Sequence, residues 1–161
     1  IGSGTPEEGE LRPQLLDRFG LSVEVSTPED LPTRMEVVRR RDAFERDPVA
    51  FGNRWKAQDG RLRKELAAAQ ALLPQVEVSE ASLELAATLC IALGTDGLRG
   101  ELTLIRSARA YAALLGDTAI DASHLRVVAL SALRHRLRRD PLDDAGSGVR
   151  VERAVAEILP A

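Results

Sequence analysis

The chain has 161 residues, of which 44% are hydrophobic and 29% are charged, and this balance is typical of a folded globular protein rather than a disordered one. The formal net charge of −3 gives no support for general nucleic-acid binding. A single cysteine, Cys90, excludes an internal disulfide and is typical of the reducing cytosol, so we expect a cytoplasmic protein. No apolar run approaches the ~20 residues that a membrane-spanning helix needs.

The first predicted element is a short helix that begins at Pro13. Proline suits the first turn of a helix because its fixed φ matches the helical value. Gly20 is placed to end the helix in the left-handed conformation. Three apolar residues lie between them at helical spacing: Leu15, Leu16 and Phe19.

Residues 21–26 alternate between apolar and polar side chains, which predicts a β-strand. An isolated strand is not stable, so this strand needs a sheet that the chain does not contain. We therefore expect residues 1–27 to be the end of a larger α/β unit that lies upstream.

From residue 28 onward the periodicity is helical. With only 3% aromatic residues, the core must be built from Leu, Val, Ile and Ala, which favours closely packed helices. Capping residues, glycines and prolines predict six helices. They run from Asp30 to 46, from Pro48 to 73, from Ser79 to 93 before Gly94, from 98 to 115 before Gly116, from Asp121 to about 139, and from about 149 to the end, after a turn-rich linker.

The fourth of these helices contains two arginines at its edge. Arg99 and Arg106 are seven residues apart, which places them within roughly 20° of each other around the helix axis. The helix start favours phosphate, so this pair is a candidate nucleotide contact beside the predicted apolar arc of Leu98, Leu102, Ile105 and Ala112. The structural alternative is a pair of arginines whose stems cover the rim of the core.

Arg18 is the other candidate, because the guanidinium group is always charged and binds phosphate oxygens in pairs. The alternative for Arg18 is an ordinary surface ion pair.

A metal site, a cysteine nucleophile and a nucleic-acid surface are not expected. His124 and His135 lack the cysteine and carboxylate neighbours of a metal site, Cys90 lies in an apolar run typical of a core, and the basic clusters at 39–41 and 134–139 lack the aromatic residues that stack on bases.

Three blocks, at residues 6–25, 97–102 and 133–142, together resemble the AAA+ ATPase subunit of magnesium chelatase, the I subunit, in the order found in that family. The cobaltochelatase and MoxR-type ATPases are more distantly similar. The resemblance implies a mainly α-helical fold. Residues 1–27 would be a remnant of the α/β nucleotide-binding core, and residues 28–161 a helical linker and an AAA+ helical lid.

The resemblance also implies roles for individual residues. Arg18 would be the arginine finger that acts on the nucleotide of a neighbouring subunit, and Arg99 would be the sensor 2 arginine that contacts the subunit's own nucleotide, with Arg106 beside it. Thr5 occupies the sensor 1 position, where the family usually has asparagine. This departure implies weakened hydrolysis, a compensating residue elsewhere, or a start of the chain that is not native, since Gly2-Ser3-Gly4 is also linker-like.

By resemblance, the intact subunit would bind ATP and Mg²⁺ and form a homo-oligomeric ring, expected to be a hexamer. The ring would power metal insertion into a porphyrin together with an AAA+/integrin-like subunit and a porphyrin-binding subunit. No Walker A sequence, Gly-x-x-x-x-Gly-Lys-Ser/Thr, occurs in the chain, so the chain alone is expected to be inactive and its status as an enzyme stays open. Two alternatives remain: a non-enzymatic helical adaptor derived from such a lid, and a MoxR-type chaperone ATPase.

Overall fold

The computed structural model describes residues 1–4, 13–137 and 146–160, and its regular structure is helical. Two single turns of 3₁₀ helix, Leu73–Gln75 and Arg134–Arg136, follow the third and sixth helices. The α-helices are α1 (Pro13–Leu16), α2 (Leu31–Arg46), α3 (Pro48–Leu72), α4 (Glu80–Leu93), α5 (Arg99–Leu115), α6 (Ala122–Leu133) and α7 (Ser147–Ile158).

The core lies among α4, α5, α6 and α7. Helix α5 is central, because it contacts α6, α3 and α4, while α7 closes the bundle against α4 and α6. Small residues let these helices approach closely, as predicted from the shortage of aromatic residues. The buried side chains include Ala86, Leu89, Leu104, Ala108, Ala112, Leu125, Ala129, Ala132, Leu133 and Val151.

The ends of the bundle helices follow the predicted caps. Ser79 accepts a hydrogen bond from the amide of Ser82, at 3.2 Å, and so satisfies an unpaired donor at the start of α4. Gly94 and Gly116 follow α4 and α5 in the left-handed region, with φ of 65° and 88°. Only glycine adopts these values without strain, so the sequence fixes where both helices end.

Helices α2 and α3 form a hairpin that has no buried residue. Asp47 joins them and caps α3, accepting hydrogen bonds from two amides of its first turn. Between the helices Phe44 meets Phe51 edge to face, with ring centroids 5.7 Å apart. The guanidinium of Arg40 lies over the ring of Trp55, 4.8 Å from its centroid. The hairpin is therefore held by aromatic and cation–π contacts rather than by a buried core.

The strand predicted for residues 21–26 is not formed, because the described residues include no strand beside it. Val23 and Val25 are 69% and 93% exposed. One backbone contact fastens the segment to the bundle: the amide of Ser22 donates to the carbonyl of Ser131 at 2.8 Å. The predicted left-handed end at Gly20 is also wrong, since Gly20 is not among the glycines with positive φ in the described chain.

Helix α6 is shorter than predicted, because it ends at Leu133 rather than continuing to 139. The guanidinium of Arg136 folds back and donates to the carbonyl of Ala132, so this carbonyl has a partner without a further helical turn.

The apolar arc predicted for α5 was wrong in part. Leu98 and Leu102 are 74% and 51% exposed, and the buried stripe passes through Leu104 instead.

Candidate functional site

An open depression of about 380 Å³ lies where the turn after α1 meets the start of α5 and the end of α6. Three segments far apart in sequence build it. Its lining residues are Asp17, Arg18, Gly20, Arg99, Leu102, Thr103, Arg106 and Arg136.

The three described site residues predicted from the sequence lie together in this depression: Arg18, Arg99 and Arg106. Arg99 and Arg106 stand on one side of α5, as their seven-residue spacing requires. Arg18 reaches the same depression from the turn after α1. The remaining predicted site residue, Thr5, lies outside the described residues.

Arg99 is the first residue of α5 and is tied to the turn that carries Arg18. Its Nη1 donates to Oδ2 of Asp17 at 2.5 Å, across 82 residues of sequence. The Arg99 side chain is still 60% exposed, so it remains open to a ligand from solvent. The unpaired amides at the start of α5 add positive potential at this point.

Arg136 lies beneath the depression, and its side chain is only 4% exposed. Its Nη1 donates to Oδ1 of Asp17 at 2.5 Å and to the carbonyl of the same residue at 3.1 Å. Its Nη2 donates to the carbonyl of Phe19 at 2.7 Å and to Oγ1 of Thr103 at 3.2 Å. The fifth donor, Nε, bonds the carbonyl of Ala132 at 3.1 Å. All five N–H donors of this guanidinium therefore have acceptors within the protein.

Arg18 and Arg106 differ from Arg136, because both are exposed. Within residues 1–4, 13–137 and 146–160, no ion pair or side-chain hydrogen bond engages either guanidinium. Among the described residues, the depression thus presents two guanidinium groups without a partner, those of Arg18 and Arg106, and the partly exposed guanidinium of Arg99.

The depression is strongly basic. Within the part of the chain that the structure describes, four arginines line it against one carboxylate, that of Asp17, although the whole chain carries a formal net charge of −3. Guanidinium groups bind phosphate and carboxylate oxygens in pairs, and several together raise the local concentration of anions. The arginines therefore make the depression suited to an anion with several oxygens, and among the described residues its lining includes no cysteine, histidine or serine.

The histidine beside Arg136 attaches the same turn a second time. Nε2 of His135 lies 3.1 Å from the carbonyl oxygen of Phe19 and donates to it. Burial lowers the pKa of His135, and the hydrogen bond to Phe19 opposes that shift. The neutral ring with its proton on Nε2 satisfies this contact.

The other groups considered from the sequence lie in ordinary structural settings. Cys90 is fully buried, and burial raises the pKa of its thiol to about 11, as expected for a core residue rather than a nucleophile. His124 belongs to the cap of α6, with its two ring nitrogens against Asp121 and Asp117. Among the described residues, no group of three or more histidine, cysteine or carboxylate side chains could hold a metal ion.

Sequence reasoning missed the two other charged residues of the depression, Asp17 and Arg136. Asp17 directly precedes Arg18, and a carboxylate next to a candidate phosphate ligand is a signal that could have been followed. Arg136 belongs to the basic cluster at the end of α6. Positive charges there are already explained by their favourable interaction with the negative end of the helix, so they did not indicate a site. Only the fold shows that its guanidinium is buried against the turn.

Comparison with known proteins agrees with this architecture. Residues 83–158 match the family model of the AAA lid domain, which covers α5, α6, α7 and most of α4. The crystal structure of a candidate ATPase from Cytophaga hutchinsonii superposes with a TM-score of 0.66 at 16% identity, over 92% of this chain and 48% of that one, and so shows the fold. No helix in the described part of the chain is both long and apolar enough to span a bilayer.

Relatives with curated descriptions match nearly the whole chain. The magnesium-chelatase 38 kDa subunit of Acidiphilium rubrum is 68% identical over 99% of this chain and 46% of its own length. The subunit of the same name from Chlorobaculum parvum is 49% identical, again over 99% of this chain and 46% of its own length. An uncharacterized protein of Mycobacterium tuberculosis, Rv2850c, is 47% identical over 91% of this chain and 23% of its own length.

The chain spans about half the length of the magnesium-chelatase subunits it matches. The matched span takes in 99% of this chain, including the helical hairpin and the bundle. The chain therefore belongs to the family of magnesium-chelatase AAA+ subunits, over the part that contains the AAA lid domain.

Proposed function

We propose that this chain is the lid-containing part of an ATP-hydrolysing ring subunit, and that the arginine-lined depression receives the phosphates of MgATP. The observation that carries the proposal is the meeting of Arg18, Arg99 and Arg106 in one depression. These residues come from two segments that the sequence separates by about half the chain. Exposed guanidiniums gathered in this way match the charge that builds up on a transferring phosphoryl group.

In the proposed roles, Arg18 is the arginine finger, Arg99 is the sensor 2 arginine and Arg106 adds charge at the rim. Their common depression favours contact with one shared phosphate group over the division into two nucleotide sites that the family resemblance implies. Because the depression is open to solvent, the nucleotide would be presented by a neighbouring subunit of the ring. Thr5 remains the candidate for the sensor 1 position.

The remaining parts of the proposal follow from the family. ATP and Mg²⁺ would be held mainly by a nucleotide-binding core to which residues 1–27 belong, and the subunits would form a cytoplasmic ring, proposed to be a hexamer. The name of the magnesium-chelatase relatives supports a chelatase as the system that the ring would power. Other chelatase subunits would then carry out metal insertion into the porphyrin, so the chemistry at the porphyrin would not occur in this chain.

The test is steady-state ATP turnover by the full-length gene product with Arg18→Ala. Removal of an arginine finger lowers turnover by about 10³-fold or more while nucleotide binding persists. Arg153→Ala is the matched control, because Arg153 is an exposed arginine on α7 outside the depression. Turnover of Arg18→Ala within a few-fold of the Arg153→Ala control would remove Arg18 from the active site.

A second candidate function is a non-enzymatic interaction module, and the exposed apolar surface of the α2–α3 hairpin favours it. Leu31, Met35 and Val38 follow one side of α2 and are 67%, 50% and 65% exposed. If this is the function, no variant of the depression will change a nucleotide-dependent property, whereas charged substitutions at Met35 or Val38 will abolish partner binding. A MoxR-type chaperone ATPase would share the depression and differ in its client.

A further inference from the structure

The turn that carries Arg18 has little apolar attachment to the rest of the protein. No residue from 15 to 30 is buried, and α1 before the turn is only four residues long. The turn has two internal backbone hydrogen bonds, from the amides of Arg18 and Phe19 to the carbonyls of Leu15 and Leu16. Its orientation on the bundle must therefore come from polar contacts.

Arg136 supplies half of those contacts, more than any other residue, while Arg99 makes two to Asp17 and His135 makes one to Phe19. Three of its hydrogen bonds reach the turn, two to Asp17 and one to the carbonyl of Phe19, which are the residues on either side of Arg18. The other two bonds fix the guanidinium to the bundle, at Thr103 of α5 and Ala132 of α6. One side chain thus joins three segments, and its position at 4% exposure shields these bonds from water.

Arg136 has no donor left for a ligand. A guanidinium has five N–H groups, and in Arg136 all five are engaged within the protein. The guanidiniums of Arg18 and Arg106 have no such engagement in the described part of the chain. This difference separates a residue that holds the depression together from residues that are available to bind an anion.

We propose that Arg136 is a positioning residue for Arg18. It clamps the backbone on both sides of Arg18 to the bundle and so keeps the finger beside Arg99. The proposal rests on the proposed function for its kinetic consequence, but the clamp itself can be measured without nucleotide. His135 assists by donating to the same carbonyl of Phe19.

The chemistry of the contact requires arginine. The planar fork of a guanidinium can donate to Asp17, Phe19 and Thr103 together, whereas a lysine ammonium has three donors at one point and cannot reach five acceptors. We therefore expect Arg136→Lys, which keeps the charge, to restore little of what Arg136→Gln loses.

The first measurement is amide hydrogen exchange over residues 17–22 in the full-length gene product. Arg136→Gln should accelerate exchange in this segment by at least about tenfold, because the turn then opens without unfolding the bundle. The matched control is Arg126→Gln. Arg126 also donates to two backbone carbonyls, those of Leu159 and Pro160, but it does not line the depression. Unchanged exchange in Arg136→Gln, or equal acceleration in Arg126→Gln, would overturn the clamp.

The second measurement is ATP turnover in a double-mutant cycle. At saturating ATP, Arg136→Gln should lower kcat by about 100-fold through misplacement of the finger, with nucleotide affinity changed less than about threefold. In an Arg18→Ala background the same substitution should cost less than about threefold more, because Arg136 acts through Arg18. Fully multiplicative losses would contradict positioning. If Arg18→Ala alone leaves turnover unchanged, the proposed function fails, and hydrogen exchange of the turn decides the clamp by itself.

Discussion

The bundle of α4–α7 and the α2–α3 hairpin are both helical, but they are stabilised in different ways. The bundle buries a continuous apolar core, and the hairpin has no buried residue in either helix. The hairpin relies on caps, aromatic contacts, surface ion pairs such as Arg41–Glu45, and the packing of Ala69 and Leu72 of α3 against the bundle. Surface pairs of this kind contribute little. The comparison teaches that helix formation and a stable core are separate properties, and that only the bundle has both.

The hairpin also carries the opposite charge from the rest of the chain. Residues 31–72 contain 10 Lys or Arg and 6 Asp or Glu, a net +4, which leaves −7 elsewhere from the total of −3. This excess of arginine is spread over an exposed surface, whereas the arginines of the depression converge on one point. The same residue type is therefore dispersed over the surface in one region and gathered around a single depression in the other.

The largest expected effect comes from the same substitution made in both regions. Leu104→Ala removes a side chain that is fully buried in the bundle and should lower the free energy of unfolding by about 2–5 kcal/mol. Leu62→Ala in α3 removes a side chain that is 53% exposed and should cost less than about 1 kcal/mol. Chemical denaturation of both variants measures the difference, and equal losses would mean that the hairpin has a core of its own.

Glycine substitutions should change the stability in opposite directions. A Cβ added at Gly100 of α5 meets Oγ1 of Thr95 at 3.1 Å and Sγ of Cys90 at 3.2 Å, so Gly100→Ala should destabilise the chain by about 1 kcal/mol. A Cβ at Gly60 of α3 meets no atom within 4 Å, so Gly60→Ala should stabilise the chain by about 0.5–1 kcal/mol through helix propensity. Thermal unfolding measures the effect of both substitutions. A stabilising Gly100→Ala would show that the bundle has room for the added methyl group.

A smaller effect is expected from pH. Burial lowers the pKa of His135 in the folded chain below its ordinary value of 6.5, so the unfolded chain binds more protons as the pH falls through that value. The stability contributed by neutral His135 is therefore present above about pH 6.5 and is lost below it. Denaturation between about pH 5.5 and 7.5 should show this slope in the parent chain and a reduced slope in His135→Gln. An identical slope in the variant would assign the dependence to another group.

Much of the fold could be predicted from the sequence, because the signals that end helices are local. Asp30, Ser79 and Asp121 cap helices where they stand, and Gly94 and Gly116 end them. Prediction failed where the outcome depends on contacts from distant segments. The end of α6 was misplaced because Arg136 folds back onto Ala132, and the segment after Gly20 was assigned as a strand although no neighbouring strand is present in the described residues.

The sequence predicted the exposed arginines of the candidate site but not the residues that hold them in place. Residue type and resemblance were enough to select Arg18, Arg99 and Arg106, and they lie together in the structure. Asp17 could have been followed from its place next to Arg18, but Arg136 could not be selected, because its importance lies in a contact with Asp17, 119 residues away in sequence. Residues that bind carry a chemical signature, whereas residues that position others are recognised only from the fold.

The measurement that tests the account most directly is ATP turnover by the full-length gene product with Arg18→Ala, with Arg99→Ala, and with both substitutions. If the two guanidiniums act on one phosphate, each single variant should lose at least about 100-fold in kcat, and the double variant should lose less than about tenfold beyond the worse single variant. Single variants with near-normal turnover, or a double variant whose loss is the full product of the two, would contradict a shared phosphate site.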